Sequence, residues 1–282
     1  MVKKWEDVFF LLSPQDLSAC PSRVWRMTMP ASNNTAARRY LDLLRHALCR
    51  DRFPDARYEM SSGSLQLMPF DPALRAQGRD WPLEAVTMVG AKRLKNLESC
   101  CCTALEEEIA GDFVETGVWR GGCGILMRGV LAITGDEIRK VWLFDSFAGL
   151  PKPDVKNYPQ DEPDRLWTFN AFLGVSVAEV RANFERFDLL DERTRFVEGW
   201  FRDTIPKAKV DSISVLRLDG DLYESTWLVL SHLYPRVSPG GFVIVDDYAL
   251  PTCKAAVDDF RAKHSIHAPI TTIDWSGILW RK

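Results

Sequence analysis

The chain has 282 residues, of which 46% are hydrophobic and 27% charged, with a formal net charge of −3 and a pI of about 5.9. That balance suits a water-soluble protein built as one large domain, or a domain plus an arm, and it offers no basic footprint, so no nucleic-acid partner is expected. No apolar run approaches the roughly 18–20 residues that span a bilayer, and Glu6 and Asp7 precede the short apolar run Val8–Leu12, so neither a membrane association nor a signal peptide is expected.

Residues 1–35 have weak periodicity and many Ser, Pro and Asn residues, and read as an N-terminal arm. From Ala36 to Arg50 the residues Tyr40, Leu43, Leu44 and Leu48 recur at helical spacing. Residues 51–80 read as loop-rich. A longer helical pattern runs from Pro82 to Ile109 through Val86, Val89, Leu94, Leu97 and Leu105, with a break expected near Cys100. Residues 36–110 are thus expected to form a helical N-terminal extension and lid. The seven cysteines are odd in number and three of them, Cys100–Cys102, are adjacent, which is unlike a disulfide framework and fits a reducing, cytoplasmic location. The triplet has neither CxxC spacing nor a nearby histidine, so it reads as small packing residues on a helix rather than a zinc site.

After residue 110 the texture changes to strand and helix in alternation. Strands are expected at Phe113–Thr116, Val141–Asp145, Thr194–Val197, Ser212–Leu218 and Phe242–Asp246. Helices are expected at Ile125–Ile133, Val177–Leu190, Thr226–Tyr234 and Thr252–His264. This order predicts an α/β fold, a doubly wound, mostly parallel sheet with helices on both faces. The tail Pro269–Arg281 suits an antiparallel hairpin on the sheet edge. Residues 151–175, polar and proline-rich, follow the second strand on the ligand side of such a sheet and read as a lid or binding loop.

Four acids, Asp219, Asp221, Asp246 and Asp247, sit where two apolar strands end, the place an open α/β sheet keeps its ligand. Acids without imidazole suit a hard divalent cation, with one carboxylate left over as a base. Alternatively they cap the elements that follow. Glu115-Thr116-Gly117-Val118-Trp119-Arg120-Gly121-Gly122 is a glycine-rich strand-to-helix turn; it is not GxGxxG, and an ordinary tight turn looks the same. Asp145 ends the next strand, where a carboxylate takes a ribose diol, and Gly199-Trp200 after the third strand suits the flank of an adenine. The histidines (His46, His232, His264, His267) lie outside these motifs and read as packing or surface residues.

Four segments together resemble the macrocin O-methyltransferase family: Phe113–Gly122, Phe144–Pro151, Leu218–Thr226 and Pro239–Tyr248. Gly78-Arg79-Asp80-Trp81-Pro82 is similar as well, and the likeness runs from about residue 36 to the end. The resemblance implies a Rossmann-like sheet of the class I methyltransferase type over residues 111–282. It also implies S-adenosylmethionine as cofactor, a divalent cation such as Mg2+, and methylation of a sugar hydroxyl on a natural product, of macrolide or aminocoumarin glycoside type. By position it implies Asp219, Asp246 and Asp247 as metal ligands and Asp221 as general base. Glu115, Thr116, Gly117, Trp119, Asp145, Ser146, Gly199 and Trp200 fall where the cofactor is held. Cys123 stands where a small residue would be expected.

Two rivals remain at this point. A nicotinamide-dependent oxidoreductase would use a similar sheet, but GxGxxG and a Tyr-x-x-x-Lys pair are both missing. A non-catalytic binding module would not need all four acids. The partner expected is a small-molecule glycoside, and the amphipathic N-terminal helices leave room for a homodimer.

Overall fold

A computed structural model describes residues 35–282 apart from residue 62. The arm expected over residues 1–35 lies outside the described residues except for Thr35. α1 (Thr35–Cys49) buries Ala37, Leu41, Leu44 and Leu48, one helical stripe, against the helices α3 and α4 introduced below.

The stretch expected to be loop carries regular structure. β1 (Arg57–Ser61) and β2 (Ser64–Met68) form an antiparallel hairpin, α2 (Pro72–Gln77) follows, and β3 (Trp81–Pro82) pairs with β1. Asp71 caps α2 by accepting from the Ala73 and Leu74 N–H groups, and Gly78 closes it at a left-handed φ of 63°. The extension is therefore mixed rather than helical, and its anchor is not local. Arg75, almost fully buried, donates to Asp80 and Asp55 (2.8 Å each) and to the Cys49 carbonyl (3.2 Å).

The helix expected over Pro82–Ile109 is α3 (Ala91–Glu106), unbroken at Cys100–Cys102. Its first expected turns are diverted. The N–H groups of Leu83, Glu84, Ala85 and Val86 go to the Ala56 carbonyl, the Asp55 carboxylate and the Leu48 carbonyl, so no helical ladder starts there. Cys100 and Cys101 are buried core residues, in keeping with the packing reading.

The remaining elements follow the expected alternation. They are β4 (Asp112–Thr116), α4 (Gly122–Thr134), β5 (Val141–Asp145), α5 (Asn170–Leu173), α6 (Val177–Arg186), β6 (Thr194–Glu198), α7 (Phe201–Thr204), β7 (Ile213–Leu218), α8 (Tyr223–Leu233), β8 (Val237–Val245), α9 (Pro251–Lys263), β9 (Thr271–Thr272) and β10 (Ile278–Arg281). The sheet order is β6-β5-β4-β7-β8-β10-β9, parallel from β6 to β8 and antiparallel at the β10–β9 edge. This is the expected doubly wound sheet with its C-terminal hairpin. Side chains alternate along the strands: Phe113, Leu143, Val215 and Ile244 enter the core under α1, α3, α4 and α6, while Val114, Phe144, Leu216 and Val243 enter the core under α8 and α9. The order reverses at β4, between β5 and β7, so the crevice opens at the carboxyl ends of β4 and β7. Among the described residues no helix is long and apolar enough to cross a membrane.

Candidate active site

At the end of β4 the chain turns through Gly117 (φ +87°), Trp119 (φ +46°) and Gly121 (φ +91°) into α4. Gly117 has two reasons to be glycine. Its φ is left-handed, and a Cβ there would lie 1.5 Å from the Asp219 carbonyl oxygen. Asp145, ending β5, holds this turn. Its Oδ2 accepts from the Val118 (2.6 Å) and Trp119 (3.3 Å) N–H groups, and its Oδ1 from Phe147 N–H (2.7 Å). Burial raises the Asp145 pKa against these three donors.

A cavity of about 920 Å³ opens over this turn. Glu115, Gly117, Trp119, Asp145, Ser146 and Trp200 line it, and so do Asp219, Asp221, Asp246 and Asp247. Two residues expected at the cofactor do not line it. The Thr116 hydroxyl points into the sheet toward the Arg217 carbonyl (3.4 Å), and Gly199 stands behind, its N–H on the Asp145 carbonyl (2.9 Å). Strand alternation explains Thr116: Glu115 and Thr116 must face opposite sides. Glu115 leaves its Oε2 buried with no partner, an acceptor that a donor entering the cavity would satisfy.

The acids form one cluster. A carboxylate oxygen from each of Asp219, Asp246 and Asp247 lies within 4.8 Å of the others, a donor set suited to a hard divalent cation. Asp221 stands beside them at a left-handed φ of 58°, its N–H donating to Asp247 Oδ2 (3.3 Å) and its carbonyl accepting from the Thr252 hydroxyl (2.7 Å). Burial, then the charges of Asp219, Asp164 and Asp246, push the Asp221 carboxyl up to about 8. Burial and the neighbouring acids raise Asp219 and Asp247 too. Asp246 goes the other way: burial opposes it, but Arg217 and Arg93 hold its carboxyl below the usual range.

Arg217 and Arg93 were not singled out from the sequence. Arg217, on the same sheet face as Glu115, donates to Glu115 Oε1 (2.8 Å), and its Nη2 makes ion contacts with Asp246 (2.6 Å) and Asp219 (2.9 Å) that lack hydrogen-bond geometry. It is fully buried, and its cation offsets the acids around it. A lone arginine inside the apolar run Ile213–Leu218 was a readable signal for a buried ion pair. Arg93, from α3, pairs with Asp246 and with Asp274 (3.0 Å). Its partners lie 153 and 181 residues away, so no local pattern announces it. The far wall of the cavity is also new: Arg57–Met60 of β1, Trp81 and Trp275 face it.

The family profile "Macrocin-O-methyltransferase (TylF)" matches residues 37–282. A Streptomyces olivaceus protein, 8-demethyl-8-(2,3-dimethoxy-alpha-L-rhamnosyl)-tetracenomycin-C 4'-O-methyltransferase, is 48% identical over 244 residues, covering 86% of this chain and 92% of its own. Demethyldecarbamoylnovobiocin O-methyltransferase of Streptomyces niveus is 46% identical over 250 residues, covering 88% and 95%. Among solved structures, the O-methyltransferase NovP superposes with a TM-score of 0.82 at 46% identity, covering 87% of this chain and 98% of its own.

Proposed function

The chain belongs to the macrocin O-methyltransferase family, and from that premise we propose that this O-methyltransferase moves a methyl group from S-adenosylmethionine to a sugar hydroxyl of a glycosylated natural product, with a divalent cation such as Mg2+ at its acid cluster. The observation that carries the reading is the meeting, in one cavity, of the Asp219–Asp246–Asp247 oxygens with Asp221 and the glycine turn after β4. The relatives named above are methyltransferases of a rhamnosyl tetracenomycin and of demethyldecarbamoylnovobiocin, which supports a natural-product acceptor.

In this reading Asp219, Asp246 and Asp247 hold the cation; when bound, it lowers the pKa of an adjacent hydroxyl and orients it. Glu115, Gly117, Trp119, Asp145, Ser146 and Trp200 hold the methyl donor, with Thr116 and Gly199 supporting from behind. Arg217 keeps the acid cluster ionisable in a buried setting. S-adenosylmethionine, when bound, would supply an electrophilic methyl group with a neutral thioether as leaving group, and Asp221 would accept the proton that the attacking hydroxyl gives up. Asp221 can take that proton only as the carboxylate, and a cation held by the neighbouring acids would favour that form by offsetting the burial and the acid charges that raise its pKa. The rest of the rate comes from positioning oxygen, methyl and leaving group in line.

The test is methyl transfer to the two relatives' glycosides, followed by mass spectrometry, with S-adenosylmethionine and Mg2+ and then with a chelator. Product that requires both additions supports the reading. Undiminished product in the chelator removes the metal from it, and undiminished product without S-adenosylmethionine removes that methyl donor.

A further inference from the structure

Asp161 has no part in the chemistry above, yet it is wholly buried. It ends the short 3-10 turn Pro159–Asp161 within the long segment between β5 and α6. Its Oδ1 accepts from Tyr223 N–H (2.6 Å) and its Oδ2 from Glu224 N–H (3.0 Å), the first two amides of α8. That helix has no local cap, because Leu222 at the N-cap position offers no side-chain acceptor. The loop supplies the cap from 62 residues away. The ring of Tyr158 meets that of Tyr223 alongside it, with centroids 6.2 Å apart.

The capped amides directly follow the turn that carries Asp221. Thr252 at the start of α9 and Asp247 after β8 hold that turn on two sides, and Asp161 holds its exit. The other end of the loop is also docked. The Asn170 side chain exchanges hydrogen bonds with the Leu150 backbone (2.9 and 2.8 Å), and Phe172 stacks on Trp81 at 5.2 Å and meets Trp119 of the glycine turn at 5.6 Å. The loop therefore runs from the glycine turn to α8, and its Leu166 and Leu173 line the cavity.

We propose that Asp161 is a positioning residue that docks this loop on the N-terminus of α8 and so sets the Asp221 turn, making the loop and the proton-accepting acid one mechanical unit. The proposal rests on the reading of Asp221 given above. A left-handed turn at a non-glycine residue persists only while its surroundings hold it. Asparagine keeps the size of Asp161 but accepts with one oxygen instead of two, and alanine accepts with none. The expected order of turnover is therefore Asp, then Asn, then Ala.

The experiment measures methyl transfer to the rhamnosyl tetracenomycin substrate, S-adenosylhomocysteine affinity by calorimetry, and amide hydrogen exchange with S-adenosylhomocysteine and Mg2+ bound. The full-length Asp161→Asn and Asp161→Ala proteins are compared with the parent. A kcat loss of roughly tenfold in Asp161→Asn, larger in Asp161→Ala, is expected, with S-adenosylhomocysteine affinity within about twofold. Exchange is expected to quicken over residues 151–175 and 220–225 while β4 and β7 stay protected. The proposal is overturned by unchanged exchange at residues 220–225, whether or not that glycoside is an acceptor. It is also overturned by parental kcat in both variants, or by exchange and affinity losses spread across the sheet. Asp221→Asn run alongside separates the two claims: full activity there ends the proton-acceptor reading and this one with it, whereas an inactive Asp221→Asn beside fully active Asp161 variants ends this one alone.

Discussion

Replacing Arg217 with methionine removes the one cation that touches Glu115, Asp219 and Asp246 at once, while keeping the volume of a fully buried side chain. Removing one partner of a buried ion pair costs about 3–5 kcal/mol. The cluster has an escape: it can take up one more proton. Holding an aspartic acid with an unfolded pKa near 3.9 protonated at about pH 7 costs roughly 4 kcal/mol, at ~1.36 kcal/mol per unit. That figure is a ceiling consistent with the first range. At about pH 5.5 the same proton costs only ~2 kcal/mol, so the deficit should halve on acidification. The assay is urea unfolding of both proteins in chelator, followed by circular dichroism, at the two pH values. Two results would refute the argument: an Arg217→Met protein within about 1 kcal/mol of the parent at neutral pH, or a deficit that does not shrink on acidification.

Asp221→Asn should lower kcat by about 10²–10⁴-fold while leaving S-adenosylhomocysteine and Mg2+ binding near parental, as read by calorimetry. Gly117→Ala should abolish binding of both ligands and lower the melting temperature, because its Cβ would meet the Asp219 carbonyl at 1.5 Å and force β4 and β7 apart at the site; unchanged melting and affinity would show that the two strand ends yield freely. The metal-free protein should lose stability as pH rises from about 5 to 8. Burial raises Glu115 and Asp221 to about 8, far above their unfolded values, so the folded state binds more protons across that window and deprotonation penalises it. Mg2+ should stabilise the protein more at the alkaline end, and a thermal-shift series flat in pH without metal would contradict the sign.

The sheet was legible because its strands are short apolar runs with acids at their ends and helices of ordinary length between them. Its acid cluster was legible for the same reason: Asp219, Asp221, Asp246 and Asp247 stand where strands stop, and a parallel sheet brings such ends together. The β1–β2 hairpin was not. Arg57-Tyr58-Glu59-Met60 is half exposed, so it lacks the alternation that marks a buried face, and its support is Arg75 reaching Asp55 and Asp80. The start of α3 failed for a related reason, since helical periodicity says nothing about backbone donors already claimed by Asp55. Asp161 escaped notice because a cap supplied across 62 residues leaves no spacing to read.

The three-stranded sheet β2-β1-β3 shares no ladder with the seven-stranded sheet, yet it forms one wall of the cavity. That separation makes the wall exchangeable. Residues 57–68 are joined by no ladder to a strand that carries the glycine turn or the acids, and a swap between family members that keeps Tyr58 against Phe172 should leave those strands in place. New acceptor scope would then be sought by grafting a hairpin, with the chemistry of the sheet inherited whole.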